Sequence, residues 1–370
     1  MLYYTILLLL LLIICLLFYS LEKNFDKDFS AIYLITFTVI LFLVASFRSE
    51  FVGTDTRSYE NIFFNITNNY NKTLYIDKFP GYYYYNLILS FLSSEPHFVT
   101  IINSLIVLTG ISYSVKRLSI NKYLSSLLFF TFFFYFNSLN ISRQYIALVF
   151  MLISFVKFKD NNKLISLIMF LLSISFHPTA FIGIIYFIYD KIEWNIKKYS
   201  FLALLALIFP LTLSTIQQLF LKIFPAYNMY FSDSSLISIN TLGSGNKILL
   251  TLFFVFWVFL GLIICYYNID KNDKTFRWLL ALCLTSVIFD LFFYKIIIID
   301  RMSVYLSVFF VFYLSYIPRY ISAFFKERIF VKLFLTIFIF TLSLAPFYFQ
   351  LSRNNSNVIP YTTIEINKNR

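Results

Sequence analysis

The stretch "AIYLITFTVILFLVASFRSEFVGTDTRSYENIF", residues 31–63, passes from unbroken apolar chain to a polar cluster within a few positions. Its first part, through Phe47, has the length and lack of charge of a helix crossing a bilayer core, which takes about 20 residues. Its second part sets Arg48, Gly53, Asp55 and Arg57 at the mouth of that helix. Outward from this stretch the apolar pattern recurs in both directions. With 60% of the 370 residues apolar and 13% charged, a soluble globular domain is excluded. The chain reads as an all-α polytopic integral membrane protein.

Apolar runs predict about 12 transmembrane helices, within a range of 10–13, over residues 2–19, 30–47, 98–115, 122–138, 143–158, 163–176, 178–190, 199–222, 247–267, 276–296, 301–317 and 329–349. The sixth and seventh are short and broken at His177-Pro178, as a kinked or re-entrant pair would be. The segment "PGYYYYNLILSFLSS", residues 80–94, is too short and too rich in tyrosine to cross, and reads as an interfacial or re-entrant helix. Of the 30 Lys and Arg, 18 fall in the short connections on one side. That side is cytoplasmic, which places both termini and two longer loops, 48–79 and 223–246, outside. Residues 1–350 thus form one transmembrane domain, followed by a polar C-terminal tail, 351–370.

The net charge of +12 is distributed over these connections instead of forming a stripe, so membrane orientation accounts for it and nucleic acid is not expected as a partner. The cysteines Cys15, Cys265 and Cys283 all lie in apolar runs without metal-ligand spacing. No P-loop, HExxH, GxSxG or CxxC pair occurs, nor a DxD-type metal pair in the outer loops, which argues against ATP hydrolysis and zinc chemistry. The site is expected to use no metal and no cofactor. The high Phe and Tyr content carries little functional weight alone.

Arginines on the outer side run against the positive-inside bias. Arg48 ends the second helix, Arg143 opens the fifth behind Ser142 or Asn140 as a cap, Arg301 opens the eleventh, and Arg57 lies in the loop between helices. One arginine at a membrane surface is explained by snorkelling or lipid contact, but four together suggest an outward pocket for phosphate or diphosphate. Local pairing with Glu50 and Asp300 competes with that reading. Gly53, one of seven glycines, marks a tight turn or a close backbone approach. Asp55 either caps the short helix that "TRSYENIF" suggests or serves as a carboxylate base or sugar ligand. His177 suits a base at a helix break or a satisfied structural role. His97, beside Pro96, is given none. Asp290, inside "TSVIFDLFFYK", needs a partner, since a lone carboxylate at mid-helix costs about 2.5 kcal/mol or more.

These residues carry a resemblance. Arg48 with Gly53-Thr54-Asp55 and Tyr59, then Ser142-Arg143-Gln144, "SFHPTAFIGIIYF" around His177, and Arg301 with Tyr305 resemble, in order over residues 1 to about 320, the EpsG-like branch of the Wzy-type polysaccharide polymerases. The tail from Asn354 has no counterpart in that pattern. The resemblance implies a metal-independent membrane glycosyltransferase with short or broken helices around an outer-face site, related to the GT-C type. It would work in the cytoplasmic (inner) membrane during O-antigen, capsule or exopolysaccharide synthesis. It would transfer an oligosaccharide repeat from undecaprenyl diphosphate to a second lipid-linked glycan. By resemblance Arg48, Arg143 and Arg301, with Arg57 assisting, would hold the diphosphate, Asp55 or His177 would take the acceptor proton, and Tyr59, Gln144 and Tyr305 would line the sugar site. Its partners would be the lipid-linked donor and acceptor, membrane lipids and a chain-length regulator. A flippase for the same lipid, or a membrane O-acyltransferase, are the alternatives. The first would need two related halves, or broken helices at the midplane, and alternating access, and the second a histidine and arginine pair reachable by a cytoplasmic acyl donor.

Overall fold

The computed structural model of the chain describes residues 1–70, 75–76, 79–205, 218, 222, 244–269, 273–293, 297–354 and 356–364. Among them every regular element is helical, and the only strand-like feature is an isolated antiparallel bridge between Arg48 and Thr363. Two compact units emerge, Met1–His177 with Ser343–Arg370, and Pro178–Leu342.

The first unit opens with α1 (Leu2–Phe25) and α2 (Ser30–Ser46). The turn between them follows from Asp26, which leaves α1 in the left-handed conformation, and from Asp28, whose carboxylate accepts the Ser30 amide at 2.8 Å. Next comes α3 (Thr56–Thr67), the short helix expected from "TRSYENIF", and then α4 (Pro80–Ser90), where an interfacial helix was expected. Phe63 of α3, Leu89 of α4 and Val99 of α5 (His97–Leu118) form a small core that holds these three helices together. The run at 122–138, expected as one helix, is two: α6 (Lys122–Thr131) and α7 (Phe134–Asn140). Phe133, with φ at 69°, breaks the helical hydrogen bonding between them.

Helices α8 (Ser142–Lys159) and α9 (Lys163–Phe176) form a tight hairpin. Serines lock its seam, Ser154 donating to the Ser166 carbonyl and Ser173 to the Ala147 carbonyl, each at 2.6 Å. Gly110 lets α5 approach α8 closely, since a β-carbon there would fall 2.0 Å from Val149. The C-terminal half of α16 (Arg328–Arg353) completes the unit, with Ser343 donating to Thr131 at 2.8 Å and Phe347 packing on Phe130 and Phe136.

The second unit starts at the expected break: His177 ends α9, and Pro178–Gly183 continues as a 3-10 turn into α10 (Ile184–Asp190). Its later helices are α11 (Ser244–Tyr266), α12 (Lys274–Phe293), α13 (Ile297–Ser307), α14 (Phe309–Tyr313) and α15 (Ile317–Ser322). α12 is buried on all sides from Phe276 through Val287, as an all-round apolar helix must be. Asp273 caps it by accepting the Thr275 and Phe276 amides at 3.0 and 3.1 Å. Arg277, buried near its start, donates to the Trp194 carbonyl and the Asn268 side chain at 3.0 and 3.2 Å.

Four of the described helical stretches are long and apolar enough to cross a membrane by length and composition: Leu2–Phe25, His97–Leu118, Arg301–Ser322 and Arg328–Arg353. Shorter apolar helices at Ser30–Ser46, Lys163–Phe176, Pro178–Asp190 and Leu250–Tyr266 accompany them. Most of the expected helix at 199–222 and of the loop at 223–246 lies outside the described residues.

Candidate functional site

The C-terminal end of α2 is where the polar cluster begins. A buried helix end leaves carbonyls without partners and carries partial negative charge, so it calls for N–H donors and positive charge. Two side chains meet it. Arg48 is 2% exposed and turns its guanidinium inward, donating to the Ala45 carbonyl of α2, to Ser104 at 3.2 Å and to the Leu139 carbonyl of α7 at 3.4 Å. It thus closes the ends of two helices at once. Burial pulls its pKa below the ordinary value, opposed by the neighbouring Tyr135 and Glu60, and a guanidinium stays charged under such a shift.

His97 is the second side chain at this helix end, one to which the sequence alone gives no role. Its Nε2 lies 2.7 Å from the Ser46 carbonyl and its Nδ1 2.8 Å from Glu60 Oε1, which also accepts from Thr100 at 2.9 Å. A carbonyl cannot donate, so Nε2 carries the proton of that bond, and Nδ1 faces the carboxylate. Glu60 was detectable in principle. Thr56, Glu60 and Phe63 share one buried face of α3, and a carboxylate on such a face requires a partner.

The loop after Arg48 is fixed from two directions. Gly53 has φ at 99°, and a β-carbon there would lie 2.8 Å from Thr56 Oγ1 and 2.9 Å from Asn140 Oδ1, so both readings of this glycine hold together. Asn140 Oδ1 accepts the Thr54 amide at 2.6 Å, and Ser142 Oγ accepts from Asn103 at 3.2 Å. Neither therefore caps α8, contrary to expectation, and the helix begins after Ile141 without a side-chain cap. The polar tail supplies the second constraint. Ser49 donates its amide to the Thr362 carbonyl at 2.8 Å, Ile364 to Phe47 at 3.0 Å, and Gly53 to Asn357 at 2.9 Å. Tyr361 stacks on Tyr3 with centroids 4.2 Å apart and donates to the Val44 carbonyl at 2.9 Å.

Asp55 stands at the N-cap position of α3 but makes no capping bond with its side chain. Half-buried, its carboxylate has no hydrogen bond or ion pair among the described residues. At 100° per residue, Asp55, Tyr59, Ile62 and Ile66 fall within about 60° of one another on the helix, beside the Glu60 face. Arg57 is on the far side, its side chain 64% exposed and paired with Glu50 at 3.5 Å, the local salt bridge that competed with an anion role.

The stripe leads to a cavity of about 180 Å³ lined by Ile62, Ile66, Tyr75, Phe79, Tyr82, Tyr83 and Arg143. Tyr59 meets Tyr82 edge-on with centroids 5.9 Å apart. Arg143, in the first turn of α8, lies 3.5 Å over the face of Phe79 and 5.7 Å from the Tyr82 centroid. Its Nε is buried without a hydrogen-bond partner, and among the described residues its guanidinium meets no carboxylate. Arg48 also has a buried Nε without a partner, but its two terminal nitrogens bond the chain, whereas Arg143 makes no side-chain hydrogen bond among the described residues.

Among the other expected residues, Gln144 is buried in the first turn of α8, and His177 is 2% exposed at the end of α9. Arg301 and Tyr305 belong to the second unit, in α13. Arg301 is half-buried there, and the buried Tyr305 accepts the Tyr186 hydroxyl at its carbonyl. Asp290 has its partner in Ser303, whose hydroxyl donates at 2.6 Å, while Lys295 lies outside the described residues. Among the described residues no cluster of three His, Cys, Asp or Glu side chains could hold a metal ion.

The sequence model of the EpsG family matches residues 31–363, nearly the whole chain. The match includes the tail as far as residue 363, which the residue pattern alone left without a counterpart. No curated protein and no solved structure matches.

Proposed function

Because the chain belongs to the EpsG family and is a polysaccharide-polymerase-like membrane protein, we propose that it elongates a glycan on the outer face of the cytoplasmic membrane. The substrate is an oligosaccharide repeat on undecaprenyl diphosphate, and the acceptor is a second lipid-linked unit. The observation that carries this reading is Arg143, a guanidinium above an aromatic cavity that meets no carboxylate among the described residues. A diphosphate leaving group develops charge as the glycosidic carbon–oxygen bond breaks, and a preplaced guanidinium stabilises that charge.

Asp55 is the proposed base. In the transfer the acceptor hydroxyl gives its proton to the carboxylate and its oxygen bonds to the anomeric carbon, while the diphosphate departs with the bonding electrons. An unpartnered, half-buried carboxylate on the stripe that leads to the cavity supports this choice over the deeply buried His177. Tyr59, Gln144 and Tyr305 are proposed to line the sugar site. Arg301 is proposed as a further phosphate ligand, and Arg48 as a positioning residue, since both its terminal nitrogens already bond the chain's own carbonyls.

A strain carrying Arg143→Ala at normal protein abundance is expected to make glycan bearing a single repeat unit and no long chains. Long chains of normal length would overturn the reading. Lipid-linked units retained on the inner leaflet would overturn it in favour of a flippase.

A further inference from the structure

Three properties of the cavity beneath Arg143 bear on what it binds. The first is size. About 180 Å³ gives room for one six-membered ring and not for two, given that a cavity of about 150 Å³ takes up a benzene molecule. The second is its wall. Phe79, Tyr75, Tyr82 and Tyr83 offer ring faces on which the C–H face of a pyranose can lie, and tyrosine hydroxyls can meet its hydroxyl groups. The third is charge. Among the described residues no carboxylate lines the cavity and Arg143 is the one charged side chain there, at the start of an 18-residue helix with no side-chain cap.

A free neutral sugar would leave the guanidinium unanswered, and a bare phosphate would leave the aromatic walls unfilled. Both demands are met by a sugar whose anomeric oxygen carries a phosphate. We infer that this cavity is a one-ring subsite for a hexose 1-phosphate group. On the polymerase reading, on which the inference rests, it takes the ring bonded directly to the carrier diphosphate. The subsite then inspects the first sugar of the repeat and is indifferent to how many sugars follow.

The test uses the full-length protein in lipid nanodiscs, with titrations of inorganic phosphate, free glucose, and the 1-phosphates of glucose, galactose and N-acetylglucosamine. At least one sugar 1-phosphate is expected to bind about tenfold tighter than phosphate or free glucose, the scale of one good aromatic contact. Ile62→Phe, which fills the cavity from α3, should abolish that preference and leave phosphate binding in place. Arg143→Ala should weaken every anion. The subsite is overturned if no sugar 1-phosphate outbinds phosphate, or if the preference survives both substitutions. The two readings fail separately. Absence of the preference alongside loss of long chains in Arg143→Ala sinks the subsite alone, whereas a cavity-dependent preference with normal chains in that strain sinks the polymerase alone.

Discussion

Ending the chain at Ser356 is expected to disable the site while lowering the stability of the fold by only a few kcal/mol. The truncation removes eleven hydrogen bonds: the amides of Ser49, Gly53 and Ile364, the hydroxyls of Tyr4 and Tyr361, the Asn357 side chain, the Ser49–Thr362 hydroxyl pair, and four between Asn354 and residues 357–359. At about 1 kcal/mol net for each, they contribute about 11 kcal/mol. The stack of Tyr361 on Tyr3 adds about 1 kcal/mol. Against this, residues 357–364 no longer need ordering, which costs about 1 kcal/mol for each backbone position and about 8 kcal/mol together. The terms cancel to within a few kcal/mol, so thermal unfolding should shift by only a few degrees. The local effect does not cancel. Ser49 and Gly53 lose the acceptors their amides have among the described residues, in the loop that follows Arg48 and leads into α3. Amide exchange at both positions should accelerate about fivefold or more, since 1 kcal/mol is a factor of about five. Glycan made by the truncated protein should be short. Unchanged exchange at Ser49 and Gly53, together with long chains of normal length, would refute the reasoning.

Gly53→Ala forces a side chain into a left-handed conformation against Thr56 and Asn140, and should cost about 1–3 kcal/mol in thermal unfolding and shorten the glycan. Glu60→Gln and His97→Gln should each lower stability by about 1–3 kcal/mol, with the double variant losing less than the two losses added, as a double-mutant cycle would record. Arg48→Ala should destabilise the protein by about 2–4 kcal/mol because two helix ends lose their cap, whereas Arg143→Ala should leave unfolding within about 0.5 kcal/mol and abolish long chains. A cysteine at the exposed Ser58 should react with an impermeant reagent added outside the cell, and protection there would contradict the outward orientation.

Much of this arrangement can be read from spacing alone. The helical period places "TRSYENIF" on a short helix, Pro178 breaks the chain after His177, and a rare glycine marks the turn at residue 53, because each effect is local and needs no knowledge of neighbours. What spacing cannot reach is pairing across the chain. Asn140 resembles a helix cap in the sequence yet accepts from Thr54, and Asn357, in a tail without periodicity, accepts from Gly53. His97 looks like a loop-end residue until Glu60, 37 positions away, is brought against it. The division of α12 from its surroundings was likewise hidden, since a helix apolar all round does not say whether protein or lipid covers it.

Helix polarity resolves why two arginines of similar sequence context behave so differently. Arg48 follows its helix, where the last carbonyls of α2 point out of the helix end, and α7 ends beside it with its own. A guanidinium there is drawn inward and its two terminal nitrogens bond the chain. Arg143 precedes most of its helix, where the exposed groups are amides, so the backbone offers it nothing to bond and shares its sign of charge. The surfaces it does find, the face of Phe79 and, farther off, that of Tyr82, attract the cation without occupying its N–H groups. An arginine at a helix start, held by an aromatic face and lacking a carboxylate, thus keeps its donors for an anion from outside. In the sequence both are simply arginines at helix ends, and it is which end that separates the residue that shapes the loop from the residue left to meet a ligand.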